Sequence, residues 1–159
     1  MPFKVQVGPP QIAIHHAMTV LVTEPNGQMV WPSDKGLYLL DTRLIGAWSV
    51  QANGEGWDLL NGGAVDHDTA RIYLTNCEFQ TEDGTIPRRT LSLMLSREIG
   101  GGMHEDLDIV NHGLTDILFN LEVMIRSDFA DVFDVKAKRN IRRGHIGSTW
   151  PDGQTLTTT

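Results

Sequence analysis

The chain has 159 residues, 40% of them hydrophobic and 21% charged, the proportions of one globular domain with a real core. Its formal net charge of −7 argues against nucleic acid or an anionic membrane as the main partner, and no apolar run is long enough to span a bilayer. Cys77 is the only cysteine, which excludes an internal disulfide and a multi-cysteine zinc site and fits a reducing cytoplasm.

The opening residues, Met1-Pro2-Phe3-Lys4-Val5, lack the basic-then-apolar layout of a signal peptide. His15-His16 reads as straddling a strand, one ring in and one out. Ala17 to Thr23, Gly36 to Leu40, Leu44 to Ala52 and Ala70 to Thr75 are strand candidates, and Cys77 reads as a small buried strand residue. Between and beyond them, Asn26-Gly27, Asn53-Gly54, Asn61-Gly62, Asp83-Gly84 and Asp152-Gly153 supply the positive φ angles of tight turns.

Three later segments alternate clearly. Thr90 to Glu98 sets Leu91, Leu93 and Leu95 on one face. After Gly100-Gly101-Gly102, the segment Met103 to Val110 aligns Met103, Leu107 and Ile109. After Asn111-His112-Gly113, the segment Ile117 to Arg126 aligns Ile117, Phe119, Leu121, Val123 and Ile125, with Asn120, Glu122 and Arg126 opposite. One apolar and one wet face is the pattern of an antiparallel sheet packed on one side. Trp150-Pro151-Asp152-Gly153 reads as a hairpin turn, and the β-prone Gln154 to Thr159 breaks off, as expected of a domain cut at its C-terminal end. The predicted fold is all-β: a single antiparallel β-sandwich over residues 1–159 with at most one short helical turn.

That helical turn is placed at Ser127 to Val135. Phe129, Val132 and Phe133 are spaced i, i+3, i+4, with Asp128 as N-cap and Asp131 in the first turn. The two phenylalanines are expected to plug the end of the core while the acids face solvent or a neighbouring domain.

No residue set points to chemistry in this chain. Glu105-Asp106-Leu107-Asp108 is acid-rich, but Asp106 and Asp108 fall on the outer face. Glu105 falls inward with Met103 and Leu107 and needs a partner such as Arg43 or Arg97, which reads as a structural ion pair. The histidines His15, His16, His67, His104, His112 and His145 lack the helical spacing of zinc hydrolases. Asp66-His67-Asp68 reads as a polar turn, with an oxygen-rich ion site as its alternative. No nucleophile elbow, Walker loop or dinucleotide fingerprint occurs. Lys136, Lys138, Arg139, Arg142 and Arg143 read as a solvated or interdomain face. Trp48 is assigned to the core, whereas Trp31 and Trp150 each precede a proline and are the candidates for glycan contact. No catalytic residue, metal ligand or cofactor is therefore expected.

Asp128-Phe129-Ala130-Asp131-Val132-Phe133-Asp134-Val135 resembles a motif in the N-terminal domain of bacterial glycogen-debranching-enzyme-like proteins of the amylo-α-1,6-glucosidase type. Gly36-Leu37-Tyr38-Leu39-Leu40-Asp41-Thr42-Arg43 resembles that family's Gly-Leu-aromatic-x-x-Asp-Thr-Arg signature, with Leu40 where arginine is usual. Glu105 followed by Asn111-His112-Gly113 is similar to its Glu-strand-Asn-x-Gly pattern. The resemblance runs from about Thr19 to the C-terminus. It implies a supersandwich-like domain preceding an (α/α)6 barrel that carries the glycosidase acids and is absent from these residues. It further implies that Asp41, Arg43, Glu105, Asn111, Asp128, Phe129, Asp131 and Phe133 are structural or interdomain positions. The implied partners are the catalytic barrel of the same chain and an α-glucan. A homodimer through exposed sheet edges is a further expectation.

Overall fold

The computed structural model describes residues 8–139 and 145–159, so Arg142 and Arg143 of the basic cluster lie outside the described residues. In chain order the strands are β1 (Ile12–His16), β2 (Thr19–Thr23), β3 (Gly36–Leu39), β4 (Thr42–Ile45), β5 (Ala47–Ala52), β6 (Trp57–Ala64), β7 (Thr69–Asn76) and β8 (Phe79–Thr81). They continue with β9 (Gly84–Ile86), β10 (Leu91–Ile99), β11 (Met103–Asn111), β12 (Leu121–Arg126) and β13 (Ala130–Asp131). A single-turn helix, α1 (Val132–Lys136), precedes the short strands β14 (Ser148–Thr149) and β15 (Thr157–Thr158).

Two sheets form the antiparallel sandwich. One has the order β1-β2-β3-β4-β13 and the other β11-β10-β7-β6. β12 pairs with β5, β8 with β9, and β14 with β15. The core lies where β1 and β2 pack on β7 and β10. Period-two burial is cleanest on β10, where Leu91, Leu93, Leu95 and Ile99 point inward. Each such aliphatic side chain contributes roughly 1.5–3 kcal/mol on leaving water. Arg97 occupies the same inward row and is 1% exposed.

Turn chemistry explains several chain reversals. Asn53 and Gly54 have φ of 48° and 81°, and Ala52 and Glu55 exchange backbone bonds of 2.8 and 3.0 Å across them. That is the two-residue hairpin loop that Asn-Gly favours. Asn61-Gly62 does not turn. It lies inside β6, where the register with β7 shifts. A Cβ on Gly62 would sit 3.2 Å from the Ile72 backbone, so this glycine serves close strand approach.

Other expectations are also corrected. Both His15 and His16 are exposed: His15 continues the outward face of β1, and His16, the last residue of the strand, lies beside the polar β6–β7 turn rather than over the core. Cys77 follows β7 and is half-buried, with its thiol pushed up by burial and by the neighbouring Asp58. The alternation of β12 is real, but Leu121, Val123 and Ile125 remain exposed because little of the described chain covers that face. Among the described residues no helix is long and apolar enough to cross a membrane.

Candidate functional site

The residues singled out around Asp41 and Asp128 converge on one corner. β13 pairs with β4, placing Ala130 opposite Arg43 and Asp131 opposite Thr42. Arg43 is buried, and its Nε donates to both carboxylate oxygens of Asp128 at 3.1 Å. Its Nη2 also donates to Asp128 Oδ2, and its Nη1 donates to the Ser33 carbonyl at 2.7 Å and more weakly to that of Lys35 at 3.3 Å. Such fork-like use of the guanidinium joins segments 85 residues apart in sequence. Burial acts to lower the Arg43 pKa, but the hydrogen bond and charge of Asp128 outweigh it and leave the pKa raised. Tyr38 lies opposite Arg43 on β3, and burial pushes its phenol up.

Two glycines make room for this pair. A Cβ on Gly46 would lie 2.9 Å from Asp128 Oδ2 and 3.0 Å from Arg43 Nε. A Cβ on Gly36 would lie 2.6 Å from Arg43 Cδ and 2.5 Å from the Ile45 carbonyl. The bulk of the arginine therefore dictates glycine on both sides.

The helix start differs from the sequence expectation. Asp131, not Asp128, is the N-cap: its carboxylate accepts from the Phe133 N–H at 2.8 Å. The Val132 N–H donates to the Asp41 carbonyl at 2.8 Å and ties the β3–β4 turn to the helix. Asp128 does not cap the helix because Phe129 takes φ of 48° and Ala130 and Asp131 pair as β13, so the chain after Asp128 is not helical, and its carboxylate is held mainly by the buried guanidinium. Phe129 and Phe133 do not plug the core. Phe129 adopts φ of 48° and is exposed, and Phe133 is 69% exposed.

This corner walls an open cleft of about 1500 Å³, also lined by Trp31, Ile125, Arg126, Asp134 and Lys136. The Arg126 guanidinium carbon lies 4.5 Å from the Trp31 ring centroid and covers one ring face. Trp150 is exposed but does not line the cleft, so the two candidate glycan contacts are not joined there. Of the cleft carboxylates, Asp128 is engaged by Arg43 and Asp131 by the helix N-terminus. The arrangement is suited to fixing geometry at a surface, and those two acids are not poised for proton transfer.

Glu105 and Asn111 sit elsewhere, both on β11. Glu105 is directly opposite Arg97 in the β10–β11 register, and Arg97 Nε donates to it at 2.5 Å. Of the two arginines proposed as its partner, Arg97 is the one that pairs. Arg97 Nη1 donates to the Gly27 carbonyl at 2.5 Å, and the guanidinium stacks 4.3 Å from the Trp48 ring centroid. Burial raises the Glu105 pKa, with Arg97 opposing it, and burial lowers that of Arg97. Asn111 organises the next turn, accepting from the Gly113 N–H at 2.8 Å and donating to the Thr115 carbonyl at 2.8 Å.

Sequence reasoning missed the Asp128 pairing and the Trp48 stack. The signal for the latter was an arginine at an inward position of a regular alternation. Residues 14–159 match the model of a family described as the N-terminal domain of (some) glycogen debranching enzymes. No curated protein matches the chain.

Proposed function

The chain belongs to this family of glycogen debranching enzyme N-terminal domains, and we propose that it is a non-catalytic β-sandwich that packs on and supports a catalytic barrel in a longer polypeptide. The barrel would supply the amylo-α-1,6-glucosidase chemistry on α-glucans. The observation that carries this reading is the apolar face of β12. Val123 is 43% and Ile125 46% exposed, although both continue a regular apolar alternation. Ile125 also lines the cleft beside the Arg43–Asp128 corner. An apolar strand face left in water is costly, and a neighbouring domain is the cover that a family of N-terminal domains supplies. The Arg43–Asp128 lock then holds β4, β13 and α1 in place at the edge of that surface.

The test is the mass of the native product, followed by substitution. A product extending well beyond Thr159, whose glucan hydrolysis or thermal stability falls when Ile125→Asp is introduced, supports the reading. A native product ending at Thr159, or a longer one indifferent to Ile125→Asp, overturns it. The purified 159-residue chain should not release glucose from glycogen or maltooligosaccharides.

A carbohydrate-binding module is the alternative reading, favoured by the position of Trp31 in the cleft wall. It requires maltooligosaccharide to quench tryptophan fluorescence in the parent chain and not in Trp31→Ala.

A further inference from the structure

The turn between β6 and β7 meets the end of β1 at a cluster of imidazoles and carboxylates. Asp68 Oδ2 lies 3.8 Å from His16 Nδ1 and 3.6 Å from His67 Nε2. One ligand atom from each of His16, His67 and Asp68 falls within 4.8 Å of the other two. Zinc bonds to imidazole nitrogen and carboxylate oxygen are about 2.0–2.2 Å, which sets tetrahedral ligand atoms about 3.3 Å apart. The cluster therefore needs to contract by well under 2 Å, roughly a side-chain rotation.

Two further features favour a metal ion over a chance surface cluster. His67 uses its second nitrogen, Nδ1, to contact Asp66 Oδ1 at 2.9 Å. A carboxylate on the far ring nitrogen is the arrangement that orients a ligating histidine and raises its basicity. The scaffold is also held by backbone bonds. The His15 N–H donates to the His67 carbonyl at 2.6 Å, and the Ile99 N–H donates to the Asp68 carbonyl at 2.9 Å. The His15 ring packs on that of His67 with centroids 5.7 Å apart. Both ligand-bearing segments are therefore fastened before any ion arrives.

We propose that His16, His67 and Asp68 form a surface site for a divalent transition-metal ion of the zinc type, which staples the two sheets of the sandwich together at this end. β1 belongs to the five-stranded sheet, and the β6–β7 turn belongs to the four-stranded one. Two imidazoles and one carboxylate suit zinc, whereas calcium and magnesium require an oxygen-rich shell. With three protein ligands, solvent completes the coordination. All three residues are at least partly accessible, so the ion needs no opening of the core.

The experiment uses the EDTA-stripped 159-residue chain, titrated calorimetrically with zinc chloride and melted with and without it. The expected result is one equivalent of zinc bound, a raised melting temperature, and no response to calcium or magnesium. His16→Ala and Asp68→Asn should each weaken zinc binding at least tenfold and abolish the thermal shift, while the paired control His104→Ala/His112→Ala keeps both. Absence of stoichiometric binding overturns the site, as does binding that survives in His16→Ala and Asp68→Asn. Binding with no change in melting temperature overturns the staple. Because His16 and Asp68 lie at a strand end and in a turn, unaltered circular dichroism of the metal-free variants separates lost ligation from lost folding.

Discussion

Removing the Glu105 carboxylate should destabilise this domain far more than its place on a half-exposed strand suggests. The Arg97 side chain is 0% exposed and that of Glu105 13%, so Glu105→Ala leaves a guanidinium in the core without its counter-ion. The Gly27 carbonyl and the Trp48 ring remain, but among the described residues Nη2 of Arg97 already finds no hydrogen-bond partner. Breaking a buried pair from one side costs about 3–5 kcal/mol. With a urea m-value of about 2 kcal/mol per molar, the unfolding midpoint should fall by about 1.5–2.5 M at unchanged m. Equilibrium urea unfolding followed by tryptophan fluorescence measures this directly. The double replacement Arg97→Met/Glu105→Leu removes both charges and keeps apolar bulk, so it should recover most of the loss or exceed the parent chain by a few kcal/mol. A cost for Glu105→Ala of about 1 kcal/mol or less, the scale of a solvent-screened pair, would refute the reasoning. So would a double replacement as unstable as the single one.

The Arg43–Asp128 corner behaves similarly: Asp128→Ala should cost about 3 kcal/mol by thermal or urea unfolding, since Arg43 is buried and Asp128 is the carboxylate its guanidinium bonds. Gly46→Ala should destabilise by about 1–3 kcal/mol, because the new Cβ would press on both members of that pair, and an unchanged melting temperature would count against the geometry. In EDTA, the His67 ring should titrate above the ordinary histidine midpoint, held protonated by its hydrogen bond to Asp66 and the charge of Asp68. With a raised folded-state pKa, its stabilising contribution is fully present below the unfolded histidine value and fades as pH rises through the folded one. Asp66→Asn should move the NMR midpoint of His67 back down, and no movement would sink the assignment.

How much of the site was legible follows from how local each signal is. The inward position of Glu105 could be read because a period of two assigns a face without reference to the partner strand, and the need for a counter-ion follows from burial alone. Its choice of Arg97 over Arg43 depended on the β10–β11 register, with the two residues directly opposed. A single helical turn after Arg126 does form, but not on the spacing of Phe129, Val132 and Phe133 that pointed to it, since Phe129 lies before the helix with φ of 48°. The cap was assigned three residues early, because Asp128 and Asp131 have the same intrinsic capping ability and the β13 pairing that keeps the chain after Asp128 from being helical is a tertiary contact.

The sequence by itself determined the all-β class, the antiparallel alternation of the long strands and the Asn53-Gly54 reversal, because backbone preference and side-chain period act over a few residues. Tertiary structure decided the rest. It joined Arg43 to Asp128 across 85 residues, left Val123 and Ile125 in water despite their apolar pattern, and brought His16 to His67 and Asp68. Exposure and pairing depend on which segments lie across a surface, and that information is distributed over the whole chain rather than carried by any one stretch of it.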